Sequence, residues 1–216
     1  MTIMILFEQI PTEFPPFIYL VVCSHDEEGC MKGECETCKD RVLQLKPFET
    51  GQVINYEQWI KSTKETLSGT ATDCFEKLVE QLPVFLHHTY IKRKQHHKFE
   101  LDCKRAQTTP DTAVLQIDFA ENYKYSEADS TQGYHWVNNQ ATVFTGYVWA
   151  SNGCKSMVVI SDCNEHTKHS VGFFLKTLIL PKILEHQTTL KTLVIYSGGA
   201  ASQFKSKYTL SHTMSL

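Results

Sequence analysis

Four cysteines near the start of the chain are the side chains best suited to bind a metal ion. They follow the pattern C-x6-C-x4-C-x2-C and are Cys23, Cys30, Cys35 and Cys38. Four thiolates complete a tetrahedral zinc shell, and Gly29 and Gly33 allow turns between them. Such a shell leaves no open coordination position, so this zinc would be structural. Two alternatives remain: His25 replaces one thiolate, or the cysteines are unrelated free thiols in a loop.

The other four cysteines are scattered, and we interpret them as small buried apolar side chains. They are Cys74, Cys103, Cys154 and Cys163.

A single acidic residue interrupts an otherwise apolar segment further along the chain. Residues 113–119 read AVLQIDF, which is typical of a strand with Asp118 near its end. A carboxylate buried in a strand is unfavourable unless it is paired or bound to a metal ion. The segment therefore predicts a buried Asp118 with such a partner.

A basic stretch provides candidate contacts for nucleic acid. Residues 91–98 read IKRKQHHK, and if they are aligned on one helix face their cations could neutralise several phosphates. The same charge run is equally typical of a solvated helix face. The candidate nucleic-acid contacts are Lys92, Arg93, Lys94 and Lys98, with Gln203 and Lys205 after the last strand.

Composition excludes several classes of protein. The chain has 216 residues, 42% hydrophobic and 21% charged, which indicates one or two globular domains rather than a disordered chain. The net charge of -3 gives no general attraction to nucleic acid or anionic lipid. The longest apolar run, Phe17–Cys23, is too short to span a membrane, and no export signal is visible. We expect an intracellular protein with reduced thiols and no membrane partner.

Three regions of different character predict the domain organisation. Residues 1–62 form a small Cys-rich, zinc-binding region with one strand over 52–60. Residues 63–110 form a helical segment, in which Pro83 kinks one helix or begins a second, and 107–111 read as a linker. Residues 111–216 are rich in strands.

The strand-rich region predicts the order β-β-β-α-β. Three strands with short connections favour an antiparallel meander, over Ala113–Phe119, Ala141–Ala150 and Lys155–Ser161. A helix over Ser170–His186 follows, strained or ended by Pro181, and a fourth strand covers Thr192–Tyr196. The helix is long enough for a crossover, so the fourth strand is expected beside the first and parallel to it.

Four sequence blocks in this region carry a resemblance to a known family. They are Gln116–Tyr123 (QIDFAENY), Gln132–Trp136, Val159–His166 and Tyr196–Lys205 (YSGGAASQFK). In order and spacing they resemble blocks of a group of animal proteins derived from mobile DNA elements, which also carry a cysteine cluster upstream. Within these blocks, His135 and Trp136 are interpreted as DNA contacts or core residues, and Asp162 with His166 as a helix cap.

The resemblance implies a transposase-like ribonuclease H core that cuts and rejoins DNA with two Mg²⁺ or Mn²⁺ ions. In that family, acidic residues on strands one and four hold the ions. Asp118 matches the first acidic position, whereas the second falls at Gly198, where the family has aspartate. The chain also ends before the helix expected to carry a third acid. These residues predict a truncated ribonuclease H-like core, with Asp118 as the remnant of a metal site.

Three functions follow as hypotheses. The first is a transposase-derived protein without nuclease activity that retains some DNA binding, with an intracellular location for which the nucleus is a candidate. The second is an active two-metal transposase or nuclease, which requires a substitute ligand or that this chain is an incomplete copy. The third is a non-enzymatic, zinc-dependent module that binds DNA or another partner.

Overall fold

The computed structural model describes residues 18–43, 51–61, 63–124 and 140–205. The chain divides into two compact units, Met1–His96 and His97–Leu216, and the division falls within one long helix. Among the helices that the structure describes, none is both long and apolar enough to cross a bilayer.

A short helix and a β-hairpin precede the long helix in the first unit. Helix α1 is Glu28–Lys32, strand β1 is Val53–Ile60 and strand β2 is Thr63–Thr70, with β1 and β2 paired antiparallel. Strand β1 confirms the strand predicted over residues 52–60. The prediction that the helical segment begins near residue 63 is wrong. The sequence of β2, TKETLSGT, has no apolar alternation, so its pairing with β1 is what makes it a strand.

A capping box fixes where the long helix α2, Ala71–Thr108, begins. The Asp73 backbone N–H donates to Thr70 Oγ1 at 3.1 Å, and the Thr70 backbone N–H donates to Asp73 Oδ2 at 2.8 Å. Each side chain thus accepts a hydrogen bond from a backbone N–H at the start of the helix, where no backbone carbonyl is available as acceptor. Asp73 takes the place that glutamate usually has in a capping box. The Thr70 hydroxyl, which donates to Asp73 Oδ2 at 2.7 Å, and then the Thr70 backbone N–H lower the pKa of the Asp73 carboxyl.

Helix α2 runs through Pro83 without interruption. Pro83 is exposed, whereas its neighbours Leu82 and Leu86 are buried in an apolar cluster with Ile18, so packing maintains the helix despite the missing N–H. One continuous helix therefore replaces the alternative of two. It also extends to Thr108, so the linker predicted over residues 107–111 is shorter than expected.

The second unit contains a mixed β-sheet whose topology agrees with the predicted strand order. Strand β3 (Thr112–Phe119) pairs antiparallel with β5 (Gln140–Trp149), and β5 pairs antiparallel with β6 (Lys155–Ser161). Strand β7 (Thr192–Ser197) pairs with β3 in parallel, with Ile117 opposite Ser197. The two-residue strand β4 (Tyr123–Lys124) also pairs with β5. The antiparallel meander and the parallel first and fourth strands are both confirmed.

The crossover between β6 and β7 is helical, as predicted, but contains a wide turn. It consists of α3 (Lys168–Phe173), a π-helical segment (Phe174–Ile179) and α4 (Leu180–His186). Pro181 lies in the first turn of α4, where its missing N–H is tolerated. Because the helix changes to wider turns before Pro181, the proline does not end it.

Strand β3 separates two apolar clusters. Its residues Ala113, Leu115 and Ile117 pack on one face with the crossover helix residues Val171 and Ile179. On the opposite face, Val114 packs with Cys103 and Ala106 of α2. Because side chains alternate along a strand, Asp118 lies on the same face as Val114, beyond the residues that this second cluster contains.

Candidate functional site

The four clustered cysteines have the geometry of a tetrahedral metal site. Their Sγ atoms all lie within 4.8 Å of one another, and all four thiols are free. Cys23 Sγ lies 3.3 Å from Cys30 Sγ and 3.7 Å from the Sγ atoms of Cys35 and Cys38. In a zinc tetrathiolate with bonds of about 2.3 Å, neighbouring sulfurs are about 3.8 Å apart. The cluster can therefore hold a metal ion such as zinc.

Local turns bring the last three cysteines together. Cys30 is in α1, which ends at Gly33 with a φ of 76°, a left-handed conformation that glycine adopts readily. The Cys35 backbone N–H then donates to the Gly29 carbonyl at 3.1 Å, and the Cys38 N–H donates to the Cys35 carbonyl at 3.1 Å. The two glycines singled out from the sequence are therefore part of the turns that position the thiols.

The thiols do not ionise equally. The backbone N–H of Thr37, followed by the neighbouring thiols, lowers the pKa of Cys35 to about 6. The hydrogen bond shared with Cys23, followed by burial, raises the pKa of Cys30 to about 12. Burial also raises the pKa of Cys38. Four thiols this close together, two of them buried, cannot all become anionic without a cation, so metal binding must displace protons from them.

His25 does not take the place of a thiol. One ring nitrogen, Nδ1, is hydrogen-bonded to the Tyr19 hydroxyl, and the other, Nε2, lies 3.4 Å from Asp26 Oδ2. In the described part of the chain, the group that can share one ion is the four cysteines, without His25 or Asp118.

The remaining cysteines match the sequence interpretation only in part. Cys74 and Cys103 are buried, and desolvation raises the pKa of both thiols, that of Cys103 to about 11. The prediction is wrong for Cys154 and Cys163, which are exposed because they lie in the connections around β6 rather than on a packed face.

Asp118, near the end of β3, and Gly198, directly after the parallel strand β7, lie side by side. An ideal Cβ atom on Gly198 would be 3.1 Å from Asp118 Oδ1 and 3.4 Å from Oδ2. The Asp118 carboxylate accepts the Phe119 backbone N–H at 2.9 Å, and its backbone carbonyl accepts the Thr145 hydroxyl at 3.0 Å. The expectation that Asp118 is buried is wrong: it is exposed, because it lies near the end of β3, beyond the apolar residues that cover its face.

Three of the side chains predicted to contact nucleic acid already have partners within the protein. Arg93 Nη2 pairs with Asp26 Oδ1 at 2.6 Å, and Lys98 Nζ pairs with Asp102 Oδ1 at 2.6 Å. Lys94 Nζ lies 5.3 Å from the centre of the Tyr90 ring, where a cation is attracted to the aromatic face.

Lys92 is exposed on α2. Gln203 is half-buried and Lys205 exposed in the turn after β7, where the Lys205 ammonium lies 3.5 Å from an ideal Cβ atom on Gly199.

Sequence reasoning missed a polar cluster that joins two of the quoted blocks. His166 Nε2 is hydrogen-bonded to Asn122 Oδ1 at 2.8 Å and lies 3.2 Å from Thr142 Oγ1. The His166 ring also stacks on Phe119, with centroids 4.1 Å apart. The signal was available in the blocks themselves, since Asn122 lies near the end of the first block and His166 ends the third.

The helix cap predicted from Asp162 and His166 is corrected by the structure. The N-cap of α3 is Thr167, whose side chain accepts the Ser170 backbone N–H. His166 is turned instead toward Asn122, and Asp162 is exposed. The predicted roles of His135 and Trp136 fall outside the described residues.

One known family model matches the whole second unit. Residues 95–216 match the family described as a domain of unknown function (DUF8701). This match covers more than half of the 216 residues, and the chain belongs to that family. No curated protein and no solved structure matches the chain.

Proposed function

We propose that this protein derives from a transposase, that its ribonuclease H-like core has no nuclease activity, and that a zinc centre and basic residues support DNA binding. The observation that carries the proposal is the glycine beside Asp118. At the position where a second carboxylate would face the first, Gly198 offers no side-chain oxygen.

The sheet supports the ribonuclease H-like part of the proposal. An antiparallel meander of β3, β5 and β6, a helical crossover and a parallel β7 beside β3 is the order in which that fold begins. The parallel register sets residue 198 next to Asp118, the two positions that the resemblance assigns to strands one and four.

The loss of catalysis follows from the ligand chemistry. Mg²⁺ binds through hard anionic oxygens, and two-metal hydrolysis needs carboxylates that hold both ions. Among the described residues, Asp118 belongs to no group of three or more side chains that could share an ion, and its Oδ1 already accepts a backbone N–H. This arrangement is too poor in charge to hold a pair of divalent ions.

A zinc ion at the cysteine cluster would have a structural role. The four thiolates, Cys23, Cys30, Cys35 and Cys38, would fill its coordination sphere, so the ion supplies folding energy rather than a reactive water. Cys30 and Cys38 also belong to an apolar cluster with Leu82 and Leu86 of α2. Zinc binding would therefore stabilise the packing of this loop on the helix.

DNA binding rests on local charge, because the net charge of -3 provides no general attraction. Lys92 and Lys94 are exposed near the middle of α2 and are one position on either side of Arg93. Exposed cations on a helix neutralise phosphates and release counterions.

A nicking assay tests the proposed loss of activity. Purified protein is incubated with supercoiled DNA and Mn²⁺, beside Asp118→Ala as the matched variant. We expect no nicking above background from either protein. Nicking by the wild type that Asp118→Ala abolishes would contradict the proposal and support the second hypothesis, an active two-metal enzyme.

A further inference from the structure

Arg93 contacts the loop of the cysteine cluster at two points. Its Nη1 donates to the His25 carbonyl at 2.9 Å, and its Nη2 donates to Asp26 Oδ1 at 2.6 Å. Both partners lie between Cys23 and Cys30, in the longest of the three spacers of the cluster. The guanidinium thus holds one backbone atom and one side chain of the same short loop.

This loop carries the thiol that most needs a support. Cys30 and Cys38 are buried in the apolar cluster with Leu82 and Leu86, whereas Cys23 is exposed. Cys23 is also the ligand most distant in sequence from the others, so turns in residues 29–38 do not place it. Its position depends on the segments on both sides of it. Val21 and Val22 before it are buried in that apolar cluster, and residues 24–27 after it contact α2 through Arg93.

We infer that Arg93 is a positioning residue of the metal centre, holding the Cys23 loop so that its thiolate meets the other three. This inference rests on the zinc centre of the proposed function. An arginine suits the task because its planar group donates two hydrogen bonds in a fixed geometry. Groups that orient metal ligands affect metal affinity although they do not touch the ion.

The bond to the backbone carries more of this effect than the ion pair. Asp26 is 66% exposed, and ion pairs so accessible to water are weak. The His25 carbonyl is part of the backbone two residues after Cys23, so its hydrogen bond with Arg93 restricts the backbone directly. Arginine at this position therefore acts mainly by ordering the loop.

The same contacts separate Arg93 from its basic neighbours. A phosphate would have to displace Asp26 and the His25 carbonyl before it could bind the same Arg93 donors. Lys92, the preceding residue, is exposed and carries the same charge. It is therefore a matched control, since Lys92→Ala removes one positive charge from the same turn of the helix.

The test compares zinc affinity in the full chain, measured by competition with a chromophoric chelator. We expect Arg93→Ala to weaken zinc binding about tenfold, the lower end of the range for groups that orient metal ligands. Lys92→Ala is expected to stay within about twofold of the wild type, as for other exposed substitutions. Arg93→Lys, which keeps the charge but loses the paired donors, is expected to restore only part of the affinity.

Cobalt(II) absorption separates a positioning role from general destabilisation. With all sites filled, the thiolate-to-cobalt bands of Arg93→Ala are expected to differ from those of the wild type, because Cys23 is less well placed. Helix content by circular dichroism should stay unchanged. If Arg93→Ala and Lys92→Ala bind zinc equally well and give the wild-type spectrum, the inference is overturned while the zinc centre stands. If the wild type itself binds no zinc, the zinc centre fails and the inference fails with it.

The Asp26→Ala variant examines the same contact from its other side. It removes the exposed ion pair but keeps the bond from Arg93 to the His25 carbonyl, so it is expected to weaken zinc binding less than Arg93→Ala does. A loss in Asp26→Ala as large as that in Arg93→Ala would contradict the main role given to the backbone bond.

Discussion

A Cβ atom on Gly198 would lie 3.1 Å from the Oδ1 atom of Asp118. The two residues are far apart in sequence but are brought together by the parallel pairing of β3 and β7, which continues in register to Ile117 and Ser197. Residue 198 is thus the position from which a side chain would meet the Asp118 carboxylate. Glycine leaves that carboxylate without an acidic neighbour there.

Gly198→Asp is expected to destabilise the protein and to create a weak divalent-metal site. The added side chain would crowd the Asp118 carboxylate and repel it, so we expect a loss of about 1 kcal/mol at neutral pH, partly recovered with Mn²⁺. Thermal unfolding with and without Mn²⁺ measures both effects. Gly199→Asp is the control, because its Cβ atom would lie near the Lys205 ammonium instead. If Mn²⁺ stabilises both variants equally, the Asp118 carboxylate does not contribute to metal binding.

The cysteine cluster is expected to bind one zinc ion per chain, with an affinity that falls as the pH falls. Protons compete with zinc for the thiolates, and Cys30, with a pKa raised to about 12, must lose its proton on binding. Metal analysis and calorimetry in buffers of different ionisation enthalpy measure the stoichiometry and the released protons. Cys35→Ser should lose the zinc, whereas Cys163→Ser, which alters an exposed thiol outside the cluster, should keep it. A Cys35→Ser protein that folds and holds zinc normally contradicts the assignment.

Tyr196→Phe is expected to destabilise the second unit. The Tyr196 hydroxyl donates to Asp102 Oδ2 at 2.8 Å, and Asp102 is buried. Removing the hydroxyl therefore leaves the buried Asp102 carboxylate with one hydrogen-bond donor fewer. We expect a loss of about 1.5 kcal/mol in the free energy of unfolding, measured in urea at pH 7. Lys98→Ala is expected to have a smaller effect, because Lys98 is 66% exposed. A larger loss in Lys98→Ala would reverse this ranking.

The pH dependence of the same site has a defined sign. Hydrogen bonds from Lys98 and then Tyr196, opposed by burial, lower the pKa of Asp102 in the folded protein. Its contribution to stability is therefore present above the unfolded pKa of about 3.9 and is lost as the pH falls through the folded value. The difference in stability between wild type and Asp102→Asn should shrink on acidification below that point.

DNA binding is expected to depend on Lys92 and Lys94 more than on Lys98. The slope of log K against log salt should fall by about 0.9 for each phosphate that the protein no longer neutralises, so the double variant Lys92→Ala/Lys94→Ala should reduce the slope by up to about 2. Lys98→Ala should change the slope less, since Lys98 is paired with Asp102. Titrations of a short labelled duplex at several salt concentrations measure the slopes. If the binding constant does not vary with salt concentration, the basic stretch is only a solvated helix face and does not contact phosphates.

Several features could be predicted from the sequence because they depend on residues close together in the chain. The cysteine spacing with Gly29 and Gly33 indicated the cysteine cluster, and β-branched and aromatic runs indicated β3, β5, β6 and β7. The crossover length indicated that β7 would lie parallel to β3. By contrast, β2 carries no pattern of its own and needed its partner strand.

The least predictable features are the partners of individual side chains. Arg93 and Lys98 look alike in a basic run, yet one holds the loop after Cys23 and the other pairs with Asp102. The apolar segment around Asp118 indicated a buried residue, but Asp118 is exposed. The apolar cluster that covers Val114 on the same face of β3 does not extend to Asp118.

The chain's own pattern of turns, apolar periodicity and cysteine spacing therefore accounts for most of the helices and strands and for the cysteine cluster, because these depend on short-range geometry. The pairing of Asp118 with position 198, and of Arg93 with the Cys23 loop, arises only when distant segments pack together. Strand register and side-chain burial are properties of that packing, and they are set by contacts that no local stretch of residues contains.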